Sequence, residues 1–207
     1  MISETTFTVR GHGVHTAFIE MTKGVTMRPE LDVIVNKFRK ADITHIQTIG
    51  FYSALHLISP RGGKKIISVH VIPDSLIGSI KGAERLAGLT KAYLKWFYGK
   101  ADMLLPVSAE TQNSLQNDMK LTNPSQVLFN TVNRVEYIKT VDEKTTVRAK
   151  LGIKPGEFVV MGNGQVQPRK RFDSFVAAAK ALPDVKFIWV GGIPFKSLGA
   201  DHKHMQQ

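Results

Sequence analysis

Short apolar runs rich in β-branched residues alternate with stretches of helical periodicity along this chain. That alternation, more than any single motif, restricts it to a parallel, doubly wound α/β sheet. Residues 65–71, KIISVHV, carry four β-branched residues in seven, the pattern of a strand in a sheet covered on both faces. Further strands are expected at 31–35, 42–47, 102–107 and around 126–129. Residues 1–5 read as the tail of another, because the glycine loop at 9–14 follows almost at once. Helices are expected at 15–23, with Val14, Phe18 and Met21 on one face, at 51–58, at 79–98 and from Ser108 onward.

A polar stretch at 130–146 marks a composition shift, after which the alternation starts afresh. It runs through a buried strand at 158–161, a helix at 172–182 and a strand at 186–190. Two such units do not complete a doubly wound domain. The expected organisation is therefore one Rossmann-like domain over 1–135, then a linker and the start of a second, incomplete one over 136–207.

Charge narrows the partner. With 28 Lys and Arg against 17 Asp and Glu, the net charge of +11 favours an anionic partner: nucleic acid, an acidic membrane surface or a phosphorylated small molecule. The basic residues are spread through the α/β elements and no helix-turn-helix, zinc-finger or aromatic RNA-binding signature accompanies them, so nucleic acid is not expected. There is no cysteine, which excludes disulfides and thiolate metal sites and suits a reducing compartment. No run of about 18 apolar residues and no signal-peptide pattern occurs, and a cytoplasmic chain, soluble or peripheral, is the expectation. His202 and His204 do not share a helix face, so no metal site is expected.

The segment 158–173, FVVMGNGQVQPRKRFD, places a strand, a glycine-broken turn at Gly162 and Gly164, and the basic cluster Arg169, Lys170 and Arg171 ahead of a helix. Glycines there let backbone approach a ligand, and a helix N-terminus offers unpaired amides. Basic side chains at that end oppose the helix dipole, a conflict that an anionic ligand resolves. A solvated basic loop is the bland reading, and turn glycines with positive φ are the bland reading of Gly11 and Gly13.

Four segments together resemble the family 4 glycosyltransferases of the GT-B fold. They are Gly11-His12-Gly13-Val14-His15, Ser68-Val69-His70, the run 101–108 followed later by Asn130-Thr131-Val132-Asn133, and residues 164–170, GQVQPRK. GHGVHTAFIE and SVHVIPDS also resemble the bacterial group that glycosylates lipids such as diacylglycerol. The resemblance implies sugar transfer from a UDP- or GDP-sugar to a lipid or glycan acceptor, with retention of configuration, no bound metal and no cofactor. It implies diphosphate binding by Gly11, Gly13, Gly164, Arg169 and Lys170, catalytic roles for His70 and Lys170, and an acceptor side at His12 and His15. Gln165 stands where the family often has an arginine, and the family's later pair of glutamates has no counterpart here. A non-catalytic fragment that binds nucleotide-sugar or membrane, and a GT-B sugar-nucleotide epimerase, are the alternatives.

His45 reads as a core residue, and His70, without the family resemblance, would read the same way. On the helix at 79–98, Lys81, Arg85, Lys91 and Lys95 fall within about a third of the circumference at roughly 100° per residue. Leu86, Leu89, Tyr93, Trp96 and Phe97 gather in an adjacent arc. Either that arc packs on the sheet in an ordinary surface helix, or the basic side docks on anionic lipid at the inner face of a membrane.

Overall fold

The computed structural model describes residues 1–7, 13–76, 86–166 and 170–192. They separate into two compact units, one drawn from Met1–Ser75 and Glu84–Val132, the other chiefly from Asn133–Gln207. Both are parallel α/β structures.

In the first unit β1 (Ile43–Ile46), β2 (Lys64–Val69) and β3 (Met103–Pro106) form a parallel sheet in that order, with Ile46 opposite Ile67 and Val69 opposite Pro106. Ile2 extends it beyond β1 through a parallel bridge to Ile46, and Ser125 extends it beyond β3 through a bridge to Leu104. The expected strand at 31–35 does not form. That segment meets its neighbour only where Met1 N donates to Ile34 O and Asn36 N donates to Met1 O, too few bonds for a ladder. The strand expected around 126–129 is reduced to the bridge at Ser125 and to the bonds from Gln126 N and Leu128 N to Leu104 O and Pro106 O.

Alternation along the strands decides which side chains enter the core. Ile46, Ile67, Val69 and Leu104 face one side, where α2 (Phe51–Ile58), α4 (Ala87–Gly99) and the π-helical turn Ser114–Asp118 cover them with Leu57, Leu94, Phe97, Tyr98 and Leu115. The opposite face is covered less completely. Although α1 (Gly13–Thr26) buries Ala17 and Phe18, Ile43 stays 55% exposed and Ile66 half-buried, so β2 is not sealed on both faces as its composition suggested.

The helix expected from 79 is described from residue 86 onward. Its packing differs from the expected arc: Leu94, Phe97 and Tyr98 are buried, whereas Leu86, Leu89 and Trp96 are 58%, 71% and 43% exposed. Burial is concentrated in the last two turns of the helix, at Leu94, Phe97 and Tyr98. Two tyrosines of α4 then hold the loops that follow β1 and β2. Tyr93 donates to Ile49 O at 2.5 Å, and Tyr98, fully buried, donates to Val71 O at 2.6 Å. Burial pushes the Tyr98 phenol up, so it remains a donor at any physiological pH. After β3, Ser108 caps α5 (Ala109–Asn113) by accepting from Thr111 N.

In the second unit β4 (Val159–Asn163) pairs in parallel with β5 (Lys186–Val190), and α8 (Phe172–Ala181) connects them. Phe172 and Phe175 meet Trp189 edge-on at 5.0 and 5.1 Å between ring centres. The strand expected to be buried is not: Phe158 is 72% and Met161 65% exposed, because among the described residues only α8 covers this two-stranded sheet. Ahead of β4, α7 (Val141–Lys150), preceded by the single-turn α6 (Arg134–Tyr137), starts in a capping box between Thr140 and Glu143, and the short α3 (Pro73–Leu76) lies between β2 and α4 in sequence.

Candidate functional site

The carboxyl ends of β1 and β2 carry a connected set of polar side chains. His45 and Gln47 lie two residues apart at the end of β1, and Ser68 and His70 two apart at the end of β2, so each pair shares a face of the sheet. His70 Nε2 is 2.9 Å from Gln47 Oε1, Gln47 Nε2 is 3.1 Å from His45 Nε2, and His45 Nε2 is 2.8 Å from Ser68 Oγ. Gln47 is fully buried and also donates to Met21 Sδ on α1 at 3.0 Å.

Donor and acceptor accounting fixes the protons. An amide nitrogen only donates, so His45 Nε2 accepts from Gln47, and the Ser68 hydroxyl shares the single lone pair of that nitrogen. Gln47 Oε1 only accepts, which places a proton on His70 Nε2. Burial, reinforced by nearby positive charge that includes His70, pushes His45 down to about 4, in keeping with a neutral ring. The result is a neutral histidine and a buried amide that hold the His70 ring in one orientation at the sheet end, where open α/β folds bind ligands. Tyr98, through Val71 O, holds the adjoining backbone.

Beside this network α1 begins. Gly13 opens it, and a Cβ built there would meet no atom among the described residues. His15 Nδ1 lies 3.1 Å from Thr5 Oγ1, which lies 2.7 Å from Ser3 Oγ. Gly11 and His12 lie outside the described residues, as do Lys81, Arg85 and Arg169.

In the second unit a glycine follows each strand, Gly164 after β4 and Gly191 after β5. Gly164 and Gly191 both have φ of +142°, and a Cβ on Gly191 would fall on the Gly164 carbonyl oxygen. That oxygen accepts from Trp189 Nε1 at 3.0 Å. The aliphatic stem of Lys170 lies over Gly164, 3.6 Å from where a Cβ would sit, and Lys170 is exposed. Arg171 precedes α8 in the left-handed region, at φ 53° and ψ 39°, and gives the helix no side-chain cap. Its guanidinium turns back to donate to Ser174 Oγ and pair with Asp173. The chain thus sets one extended lysine beside an uncapped helix start, an arrangement suited to a phosphate.

Sequence reasoning singled out His70 and Lys170 but not the support around His70. The i, i+2 pairing of His45 with Gln47, and of Ser68 with His70, is the signal that two adjacent parallel strands point polar side chains the same way.

The chain is 32% identical over 200 residues to the alpha-galactosylglucosyldiacylglycerol synthase of Streptococcus pneumoniae (strain ATCC BAA-255 / R6), a match covering 95% of this chain and 54% of that protein. It is 25% identical over 101 residues to the processive diacylglycerol alpha-glucosyltransferase of Acholeplasma laidlawii, covering 49% of this chain and 30% of that protein. The chain therefore spans about half the length of the first relative. No family model matches it.

Proposed function

We propose, for a chain that belongs with the glycolipid glycosyltransferases, that it transfers a sugar from a nucleotide-activated donor to the hydroxyl of a membrane lipid. The observation that carries this reading is the His70, Gln47, His45 network at the strand ends of a chain similar over 95% of its length to a glycolipid synthase. In the proposed reaction the acceptor oxygen bonds to the anomeric carbon on the face the diphosphate leaves, with retention and without a metal. The diphosphate departs with the bonding electrons, and the acceptor's proton passes to the leaving phosphate oxygen.

Lys170 and the amides at the start of α8 neutralise that developing charge, with Gly164 leaving room for backbone approach and Arg169 adding a second cation. Fixed charge at a leaving group is among the largest contributions an enzyme makes. His70, held by Gln47, meets the transferred sugar, and the segment from Gly11 through His12 and Gly13 to His15 serves the acceptor side or the donor phosphates.

The test is incubation of the 207-residue chain with diacylglycerol-containing vesicles and a labelled UDP- or GDP-sugar. Label is expected to enter the organic phase. Nucleotide binding without transfer would support the non-catalytic alternative, a changed sugar nucleotide the epimerase, and neither binding nor turnover would remove the whole reading.

A membrane surface as partner is favoured by α4. Leu86, Leu89 and Trp96 are exposed on the same helix as the exposed Lys91 and Lys95, a mixed apolar and basic surface suited to an anionic interface. No described helix is long and apolar enough to cross a membrane. In liposome flotation the chain should bind vesicles rich in anionic lipid in preference to neutral ones. At about 1 kcal/mol per basic residue near such a surface, Lys91→Ser with Lys95→Ser should weaken binding by about tenfold or more. Equal recovery on both vesicle types, or no effect of the double substitution, would remove this surface from the assignment.

A further inference from the structure

The amino ends of β1 to β3, at the other end of the sheet from His70, carry features that glycosyl transfer does not use. A cavity of about 290 Å³ opens there, walled by Ile2, Val25, Val33, Ile34, Ile43 and Ile66 among others. It holds on the order of ten groups the size of a water molecule, and a wall that is mainly apolar, with Asp32, Thr44, His45 and Ser59 among its polar members, suits hydrocarbon better than water.

His56 interrupts the apolar wall. It is only 5% exposed, Phe38 stacks on its ring at 3.7 Å between ring centres, and its Nε2 has no hydrogen-bond partner among the described residues. A buried polar atom left unpaired costs about 1–3 kcal/mol, which an oxygen-bearing ligand in the cavity would relieve. Burial, then the nearby Lys65 charge, pushes His56 down and keeps the ring neutral, so it meets a neutral oxygen rather than an anion.

The charge lies at the mouth. Phe38, Arg39 and Ala41 line both the cavity and an adjoining groove, where Arg39, Lys40, Arg61 and Lys64 face Asp42 and Asp102. Asp102 is committed to Lys64 at 2.8 Å. Arg39, Lys40 and Arg61 have no ion-pair partner among the described residues.

From this juxtaposition we propose that cavity and groove together bind one anionic acyl lipid: its hydrocarbon chain among Ile34, Ile43 and Ile66, a chain-proximal oxygen at His56 Nε2, and its phosphate on Arg39, Lys40 and Arg61. A free phosphate would use the cations and leave the cavity empty. An uncharged or cationic chain would use the cavity and leave the cations unpaired. Only a molecule carrying both parts accounts for both; the cavity also reaches His45, so its inner end adjoins the network that holds His70.

Calorimetric titration of the 207-residue chain with dodecyl phosphate below its micelle concentration is the test, with inorganic phosphate and dodecyltrimethylammonium as comparisons. Dodecyl phosphate should bind one equivalent, and each comparison compound about tenfold or more weakly, since either the apolar or the charged contribution is lost. Arg39→Ser, Lys40→Ser and Arg61→Ser combined should weaken dodecyl phosphate by about tenfold or more while leaving the circular dichroism spectrum unchanged. Ile66→Phe, which fills the cavity, should weaken it without changing the response to inorganic phosphate.

Phosphate binding as tightly as dodecyl phosphate would reduce the site to a surface anion patch and overturn the proposal. Equal binding of the ammonium compound, or no binding of dodecyl phosphate to the folded chain, would do the same. None of these readouts depends on glycosyl transfer.

Discussion

Lys170→Ala is expected to lower sugar transfer by about 100-fold or more while leaving the fold almost unchanged, because removing one donor or charge that faces a developing anion costs about that much. Lys170 is exposed, and its stem covers only the turn at Gly164. Surface substitutions of this kind usually shift stability by less than about 0.5 kcal/mol. The loss should appear in kcat and in nucleoside-diphosphate affinity together, since ground state and transition state both carry phosphate charge. Lys170→Arg should recover part of both, because charge is kept while the point-like ammonium geometry is not. Steady-state transfer assays alongside thermal melts separate the two effects. Unchanged turnover in the alanine variant would move the phosphate site elsewhere, and a parallel fall in melting temperature would make Lys170 a structural residue.

The parallel α/β class was legible because strand and helix periodicities differ and each survives on short segments. Residues 42–47 and 102–107 each contain an observed strand, β2 begins one residue before the expected 65–71 and ends two residues short of its end, and the helix at 51–58 and the strand at 186–190 match at both ends. Residues 31–35 misled because an apolar run supplies side chains for a strand but not a neighbour for its amides. There the chain instead lines a cavity with Val33 and Ile34. Phe158 and Met161 misled in the same way, since apolar character predicts burial only where a second layer arrives to cover it.

The site was legible in part. His70 stood out by its place at a strand end, but Gln47 drew no notice, since a single buried amide has no sequence signature. His45 read as a core residue, and burial is half of the truth: its ring is desolvated and is also the acceptor that orients Gln47. The lipid cavity had no linear signal at all. Its wall comes from segments near residues 2, 25, 34, 43 and 66, brought together only by the sheet.

His45 also makes the first unit sensitive to acid. Its ring titrates near 4 in the folded chain against an ordinary value of 6.5. Above 6.5 the ring is neutral in both folded and unfolded chains and the shift has no effect. As pH falls from 6.5 toward 4 the unfolded chain binds a proton that the folded chain refuses, so stability is lost across that window, by at most about 3 kcal/mol in all and by about 2 kcal/mol at pH 5. His56, also shifted down by burial, adds to the loss in the same direction. Once protonated, His45 could no longer accept from Gln47 and Ser68. The amide would turn, and the hydrogen bond that orients His70 would be released. Urea unfolding at pH 7.5 and pH 5 should therefore show the drop, and His45→Gln, which does not titrate, should remove the larger part of it while His56 sustains the remainder. If the wild-type chain were equally stable at both values, or the glutamine variant lost as much as the wild type, the half-buried neutral ring would not be what ties the ends of β1 and β2 together.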